Sequence, residues 1–257
     1  AVEMCSRMKI PSVFVETNCF WCTSDEVASR KMNKLKQKGL KGILISVNPF
    51  YLEYVPFEKT RRAVRAAGEI FGRNLMVYQQ EYFRRFEGWG IRERVGFGNY
   101  LEMENMKEFT RNVEFFVMGR APYQMKGGLE ECYPRYPAAH FFGVPCMPPF
   151  LRGWHNHFDS YGNYLPGYCG GVSLGDCRRI DSLLEEGVDT REHPVLGYLM
   201  DEDLEGLYEF ASDYGYREPE QGYFSSCHLC TDLRRHLAAE GEFSELSPLE
   251  FYSHLEE

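Results

Sequence analysis

Residues 42–72 read "GILISVNPFYLEYVPFEKTRRAVRAAGEIFG" and set a strand directly before a helix. "GILISVNPF" (42–50) is a short apolar run with β-branched side chains, the pattern of a buried strand. "PFEKTRRAVRAAGEIFG" (56–72) changes period. Pro56 stands near its start, where a missing N–H costs nothing, and Thr60, Val64, Ala67 and Phe71 share one face. The alternation recurs on both sides. Upstream, "SVFVETN" (12–18) reads as a strand. "TSDEVASRKMNKLKQKG" after it reads as a helix, with Thr23 and Glu26 as a capping box, Ala28, Met32 and Leu35 at helical spacing, and Gly39 as its stop. Downstream, "NLMVYQQEY" (74–82) reads as a third strand and "VEFFVMGRA" (113–121) as a fourth, reached through the helix "LEMENMKEFTRN". Strands spaced roughly 30 to 40 residues apart predict successive βα units of a parallel sheet or barrel.

In such folds the chemistry gathers where strands end and loops begin. That rule places Glu16, Asn18, Ser46, Asn48, Gln80 and Glu81 along one rim. Polar groups at the ends of apolar strands need partners; either a ligand supplies them, or they are caps and turn formers.

The whole chain has 257 residues, 44% of them apolar and 15% aromatic, enough to fill a substantial core. A formal charge of −9 argues against a general nucleic-acid binder or a membrane-surface protein, both of which need net basic surface. "RRFEGWGIRER" (84–94) is a local exception: Arg84, Arg85, Arg92 and Arg94 either meet an anionic substrate or form a solvated loop. No run of about 18 apolar residues predicts a membrane span. The chain shows no signal peptide, and the expected location is cytoplasmic. It begins with Ala rather than Met, which leads us to expect residues upstream.

After residue 121 the texture changes. Prolines, glycines and aromatics crowd 122–170, "FDSYGNYLPG" reads as a hairpin, and helical stretches follow near 178–186 and 201–213. Two domains are therefore expected, 1–121 and 122–257. The second is irregular and held by something other than a large core.

The nine cysteines are odd in number and unevenly spaced, which fits a metal site better than a disulfide framework. Cys227 and Cys230 form "CHLC", and a C-x-x-C aims two thiolates at one centre. Cys146 and Cys169, flanking the hairpin, are the expected second pair. Cys132 and Cys177 are possible substitutes, and Cys5 reads as core. Four thiolates suit zinc or an iron–sulfur cluster, and spacing does not choose between them. His155, His157 and Asp159 alternate, so they would share one face of a strand, as metal ligands or as satisfied side chains near a substrate or cluster. Cys19 and Cys22, in "NCFWCTS", sit between a strand and a helix N-terminus. They read as a redox dithiol, as further metal ligands, or as packing thiols.

Together these residues resemble the later two-thirds of a radical S-adenosylmethionine (SAM) protein with a C-terminal auxiliary-cluster domain of the SPASM or twitch kind. "FVETN" and "ISVNPFYLEYVPFEKTR" are similar to the third and fourth βα units of that partial barrel. Cys146, followed after fifteen residues by Gly162 and then by Cys169, is similar to the opening of the SPASM pattern. "CGGVSLGD" and "CHLCTDLRRHL" with "EFSELSPLEFYSHL" resemble the end of a subgroup of these proteins. The resemblance implies an α/β fold. Its first part is a partial (β/α) barrel lacking its first units, and its second an irregular α+β auxiliary-cluster domain. It also implies SAM as cofactor, with Ser46 and Asn48 near the ribose and Asn18 near the methionyl end. Cys146, Cys169, Cys227 and Cys230 would hold an auxiliary 4Fe–4S cluster. In the family a reduced cluster cleaves SAM, and the resulting radical abstracts a substrate hydrogen. A peptide or small-molecule substrate and a reductant such as flavodoxin or ferredoxin are implied as partners. The family's C-x3-C-x2-C loop and Gly-Gly-Glu motif do not occur in the sequence. This chain alone is therefore not expected to perform the radical step. The catalytic residues stay unassigned, and a non-enzymatic zinc- or cluster-stabilised binding module and a dithiol oxidoreductase remain as alternatives.

Overall fold

A computed structural model of the chain describes residues 1–113, 115–146, 150 and 156–256. The chain forms two compact units, Ala1–Asn105 and Met106–Glu257. That division lies ahead of the one read from composition at 121/122.

The first unit is built on a three-stranded parallel sheet of β1 (Phe14–Thr17), β2 (Gly42–Ser46) and β3 (Leu75–Tyr78), in the order β1-β2-β3. The connecting helices are Asp25–Gln37 and Phe57–Phe71. Helix Phe57–Phe71 buries Phe57, Thr60, Ala63, Ala66, Ala67 and Phe71, a stripe that packs on the sheet and on the neighbouring helix, whose Ala28 and Met32 are buried. Ser24 rather than Thr23 is the N-cap of the first helix: its side chain accepts a hydrogen bond from the Val27 N–H at 3.2 Å. Gly39 follows that helix at φ +101°, a left-handed value open to glycine. The three strands leave an open sheet, and no closed barrel forms among the described residues.

Strand register fixes the two faces of the sheet. Ile43 and Ile45 point to the helices and are buried. Phe14, Glu16, Leu44, Ser46, Met76 and Tyr78 share the other face, and Phe14, Met76 and Tyr78 are exposed there.

Two expected strands end differently. β3 stops at Tyr78, Gln79 adopts a left-handed φ of +62°, and Gln80–Gly88 is a helix. Gln80 and Glu81 therefore lie in a helical first turn, where Glu81 pairs with Arg85 at 3.3 Å. Arg85 also meets Glu104 at 2.8 Å, an acid with a fully buried side chain, and Arg92 lies 3.8 Å from Glu58. The expected fourth strand is not a strand at residues 115–118, which belong to the second unit. Val117 is buried there, and its carbonyl accepts a hydrogen bond from Ser225 Oγ at 2.6 Å rather than from a neighbouring strand.

The second unit carries an antiparallel sheet of β4 (Asn156–Phe158), β5 (Asn163–Pro166) and β6 (Gly175–Asp176). β4 and β5 form the expected hairpin. Its turn is tied by Asp159, whose carboxylate accepts from the N–H groups of Tyr161 and Asn163 and from Asn163 Nδ2. Helices Ile180–Glu186, Pro194–Met200, Leu204–Asp213 and Ser226–Glu240 complete the unit. Their core joins Val195, Leu196, Leu207, Ala211, Leu229, Leu233 and Leu237, all buried, with Tyr223 and Val172. No helix among the described residues is long and apolar enough to cross a membrane.

Candidate four-cysteine site

Cys227 and Cys230 lie in the first turn and a half of helix Ser226–Glu240. Residues three apart on a helix are neighbours, so both sulfurs face the same way. The helix start is held firmly. Ser225 is the N-cap, its Oγ accepting from the His228 N–H at 3.0 Å while donating to the Val117 carbonyl. The free amides of that helix end favour negative charge nearby.

Cys169 arrives from the other side of the hairpin. Its N–H bonds the Pro166 carbonyl at 3.1 Å, in a turn just after β5. The two residues that follow are clamped. Arg234 Nη1 donates to the Gly170 carbonyl at 2.9 Å, and Tyr252 Oη donates to the Gly171 carbonyl at 2.5 Å. No side chain fits at either glycine. A Cβ on Gly170 would stand 2.4 Å from Phe251 Cε2, and one on Gly171 2.4 Å from Phe251 Cδ1. Cys146 is placed by Glu202, whose carboxylate accepts the Cys146 N–H at 3.2 Å. Glu202 itself adopts φ +54°.

The four sulfur-bearing residues line one cavity of about 180 Å3, together with Met118, Phe150, Tyr168, Leu199, Leu207 and Arg234. The structure thus brings Cys146, Cys169, Cys227 and Cys230 together across 84 residues of chain, from position 146 to position 230. The electrostatics agree with that closeness. Burial pushes the Cys146 thiol up to about 12, and Cys230, Cys169, Glu202 and Cys227 add to the rise. Burial pushes Cys227 up to about 11, with Cys230 and Cys169 adding to it and Arg234 opposing it. Neighbouring thiols resist joint ionisation because each new negative charge repels the next. A cationic centre reverses that penalty, since metal binding replaces the protons. Among the described residues no group of three His, Cys, Asp or Glu side chains converges as the ligands of a single ion would.

Arg234 is the site residue that sequence reasoning missed. It is buried, and its guanidinium donates to the Gly170 carbonyl, to Tyr252 Oη at 3.2 Å and to Thr231 Oγ1 at 3.3 Å. Burial alone would lower its pKa, but Tyr252, Cys230 and Cys169 beside it more than offset this and hold it protonated. The signal was present in the helical period: position 234 follows Cys230 by four residues and Cys227 by seven, on the same face.

The remaining expected residues sit elsewhere. Cys132 and Cys177 do not line the cavity, and Cys5 lies partly exposed in helix Val2–Arg7, which buries no residue. His155 falls outside the described residues. His157 is exposed, and the Asp159 carboxylate is committed to its turn. In the first unit, Asn18, Ser46 and Asn48 do follow the ends of β1 and β2, and each already has a local role. Asn18 Oδ1 accepts from the Phe20 N–H at 3.3 Å, and Asn48 Oδ1 caps helix Pro49–Leu52 by accepting from Tyr51 at 2.9 Å. Ser46 Oγ donates to Glu16 Oε1 on the face of the sheet opposite Ile43 and Ile45.

No family model, curated protein or solved structure matches this chain.

Proposed function

We propose that the four-cysteine cavity holds an iron–sulfur cluster, and that the chain is the part of a radical SAM enzyme that carries its auxiliary centre. One observation carries the reading: four cysteines from three separate stretches of the chain line a single cavity beside a buried arginine. The donor set fits. All four ligands are soft sulfurs, as iron–sulfur clusters require. A single tetrahedral zinc, with Zn–S near 2.3 Å, would hold its sulfurs roughly 3.8 Å apart. A cluster puts several metal atoms between the thiolates and asks for a wider spacing.

When bound, such a cluster supplies one-electron transfer or an anchor for substrate. The chain's residues supply the rest. The capped start of helix Ser226–Glu240 fixes Cys227 and Cys230, and Arg234 places a positive charge beside Cys230 and Cys169. Arg234 and Tyr252 fix the loop that delivers Cys169, and Glu202 fixes Cys146. The lining around the sulfurs is largely apolar.

The first unit supports the barrel half of the reading. Parallel sheets are ordinarily covered on both faces. In a barrel, one face instead looks into the interior, and here the face opposite Ile43 and Ile45 bears Phe14, Met76 and Tyr78 exposed, with Glu16 and the buried Ser46 between them. Asn18, Ser46 and Asn48 stand at the strand ends, as SAM-contacting residues would. Asn18 and Asn48 use their side-chain oxygens locally and leave their amide nitrogens to donate. The substrate class that goes with this reading is a peptide or a small molecule, reduced flavodoxin or ferredoxin is the electron source, and a reducing cytoplasm suits nine cysteines outside disulfides.

Anaerobic purification with iron and sulfide analysis and electron paramagnetic resonance tests the reading. Brown protein with matched iron and sulfide, lost in Cys169→Ser, is the expected result. Colourless, iron-free protein, or iron fully retained in Cys169→Ser, overturns it. Stoichiometric zinc in the same cavity would instead establish the alternative of a zinc-stabilised binding module.

A further inference from the structure

A second pair of thiols lies in the first unit and has no part in the four-cysteine cavity. Cys19 and Cys22 close a tight turn, in which the Cys22 N–H bonds the Cys19 carbonyl at 2.9 Å. Such a turn brings the α-carbons of its first and last residues within about 7 Å, a range that overlaps the 4.4–6.8 Å span of disulfides. The turn is pinned on its strand side. The Cys19 N–H and the Trp21 indole both donate to Thr17 Oγ1 at 3.0 Å, and Cys19 is held at φ +63°. The Cys19 thiol donates to the Thr17 carbonyl at 3.8 Å, and both residues are fully buried.

The charges around the pair are lopsided. Arg62 donates to the Cys22 carbonyl at 2.7 Å, Lys59 donates to the Phe20 carbonyl at 2.9 Å, and Lys31 stands over the Trp21 ring. The hydrogen bond from Cys19, followed by Arg62, Lys31 and Lys59, outweighs burial and holds the Cys22 thiol below its ordinary value. Cys19 moves the opposite way, raised by Cys22 and by burial. One sulfur is thus set up as nucleophile, and its neighbour retains a proton to give.

We propose that Cys19 and Cys22 form a peroxide-reactive dithiol that closes to an intrachain disulfide. The Cys22 thiolate attacks the O–O bond of a small hydroperoxide. One oxygen is transferred to sulfur as a sulfenic acid, and the other leaves with a proton as water or an alcohol. The Cys19 sulfur then attacks the Cys22 sulfur, the S–O bond breaks, and the sulfenic oxygen leaves as water after taking the proton from Cys19. In sum two thiols are oxidised by two electrons, one hydroperoxide is reduced, and with hydrogen peroxide two waters form. The complete burial of both residues selects the oxidant class: a small peroxide can diffuse to the sulfurs, whereas the disulfide of another protein cannot dock on them.

The test uses the full chain, reduced and desalted, exposed separately to hydrogen peroxide and to oxidised thioredoxin, then alkylated, digested with trypsin and weighed. Cys19 and Cys22 share one tryptic peptide, 10–30, that holds no other cysteine. The expected result is a 10–30 peptide lighter by two hydrogens and without alkyl groups after peroxide, and fully alkylated after oxidised thioredoxin. Cys19→Ser should accumulate a sulfenic acid on Cys22 that dimedone traps, and Cys22→Ser should give no dimedone adduct on Cys19. Lys31→Gln, which leaves the turn's hydrogen bonds intact, should slow disulfide formation several-fold. The proposal is overturned if the 10–30 peptide stays doubly alkylated under peroxide, if it is oxidised by thioredoxin in preference to peroxide, or if the two serine variants show the reverse trapping pattern.

Discussion

Replacing Gly171 by alanine measures how tightly the loop bearing Cys169 is held. Gly171 sits at φ +74°, and an added Cβ would lie 2.4 Å from Phe251 Cδ1, 2.8 Å from Tyr252 Cζ and 2.9 Å from Tyr252 Oη. The tyrosine cannot retreat without cost, because its hydroxyl donates to the Gly171 carbonyl and accepts from Arg234. Two penalties add. Left-handed backbone costs a non-glycine residue about 1–2 kcal/mol, and overpacking a filled site costs about 1–3 kcal/mol. Gly171→Ala should therefore destabilise the chain by about 2–5 kcal/mol. Gly170 has no positive φ, and its Cβ would strike Phe251 alone, so Gly170→Ala should cost about 1–3 kcal/mol. The assay is urea unfolding followed by far-ultraviolet circular dichroism, repeated with Phe251→Leu in each background. The smaller side chain should rescue most of the Gly170→Ala loss and little of the Gly171→Ala loss, which retains the backbone penalty and the Tyr252 clash. A Gly171→Ala chain within about 0.5 kcal/mol of the parent, or equal rescue of both alanines, would refute the packing argument.

Three other outcomes follow from the same structure. Ser225→Ala removes the cap of the helix carrying Cys227 and Cys230 and one bond to Val117, and should lower the unfolding free energy by about 1–2 kcal/mol in the same urea assay. Arg234→Met leaves the Gly170 carbonyl without its guanidinium and removes a buried charge from beside Cys230. A loss of about 1.5–3 kcal/mol is expected, and Arg234→Lys should recover less than half because an ammonium lacks the planar fork that reaches all three acceptors. Sulfenic acid formation at Cys22 should persist as pH is lowered below the ordinary thiol range, where an unperturbed thiol loses about tenfold in thiolate per unit. Stopped-flow rates across that range read the difference, and a tenfold fall per unit starting near pH 9 would contradict the lowered Cys22.

The alternation of apolar runs and helical stripes between residues 12 and 78 was legible because local rules govern it. β1, β2 and β3 lie where the β-branched runs stand, and of the marked helix faces Ala28, Met32, Thr60, Ala67 and Phe71 are buried while Leu35 and Val64 are only half-buried. The misread elements share a different cause. "QQEYFRRFEG" continues an apolar strand into a segment whose Tyr82 and Phe86 also satisfy helical spacing, and a single left-handed residue, Gln79, makes the change. "FFVMG" has the composition of a strand, but the partner for Val117 is a serine hydroxyl 108 residues away, which no local pattern announces. Propensity states what a segment is able to do, and the available partner decides.

The four cysteines were legible for a related reason. Cys227 and Cys230 form a local spacing motif, so the pair could be seen directly, whereas Cys146 and Cys169 were chosen over Cys132 and Cys177 by their places around a hairpin. The structure shows why Cys169 and not Cys177 lines the cavity. Cys177 lies beyond β6, with its N–H bonded to the Gly162 carbonyl at the hairpin turn, whereas Cys169 lies at the far end of β5, next to two glycines that let Phe251, Tyr252 and Arg234 close in. The selection is made by backbone space more than by sulfur. An alanine at 170 or 171 would leave every cysteine of the motif in the sequence and still push the Cys169 loop off its clamp. The glycines after Cys169 and the arginine after Cys230 are therefore as much a part of the site as the thiols, and their removal should disturb the cavity even where all four sulfurs remain.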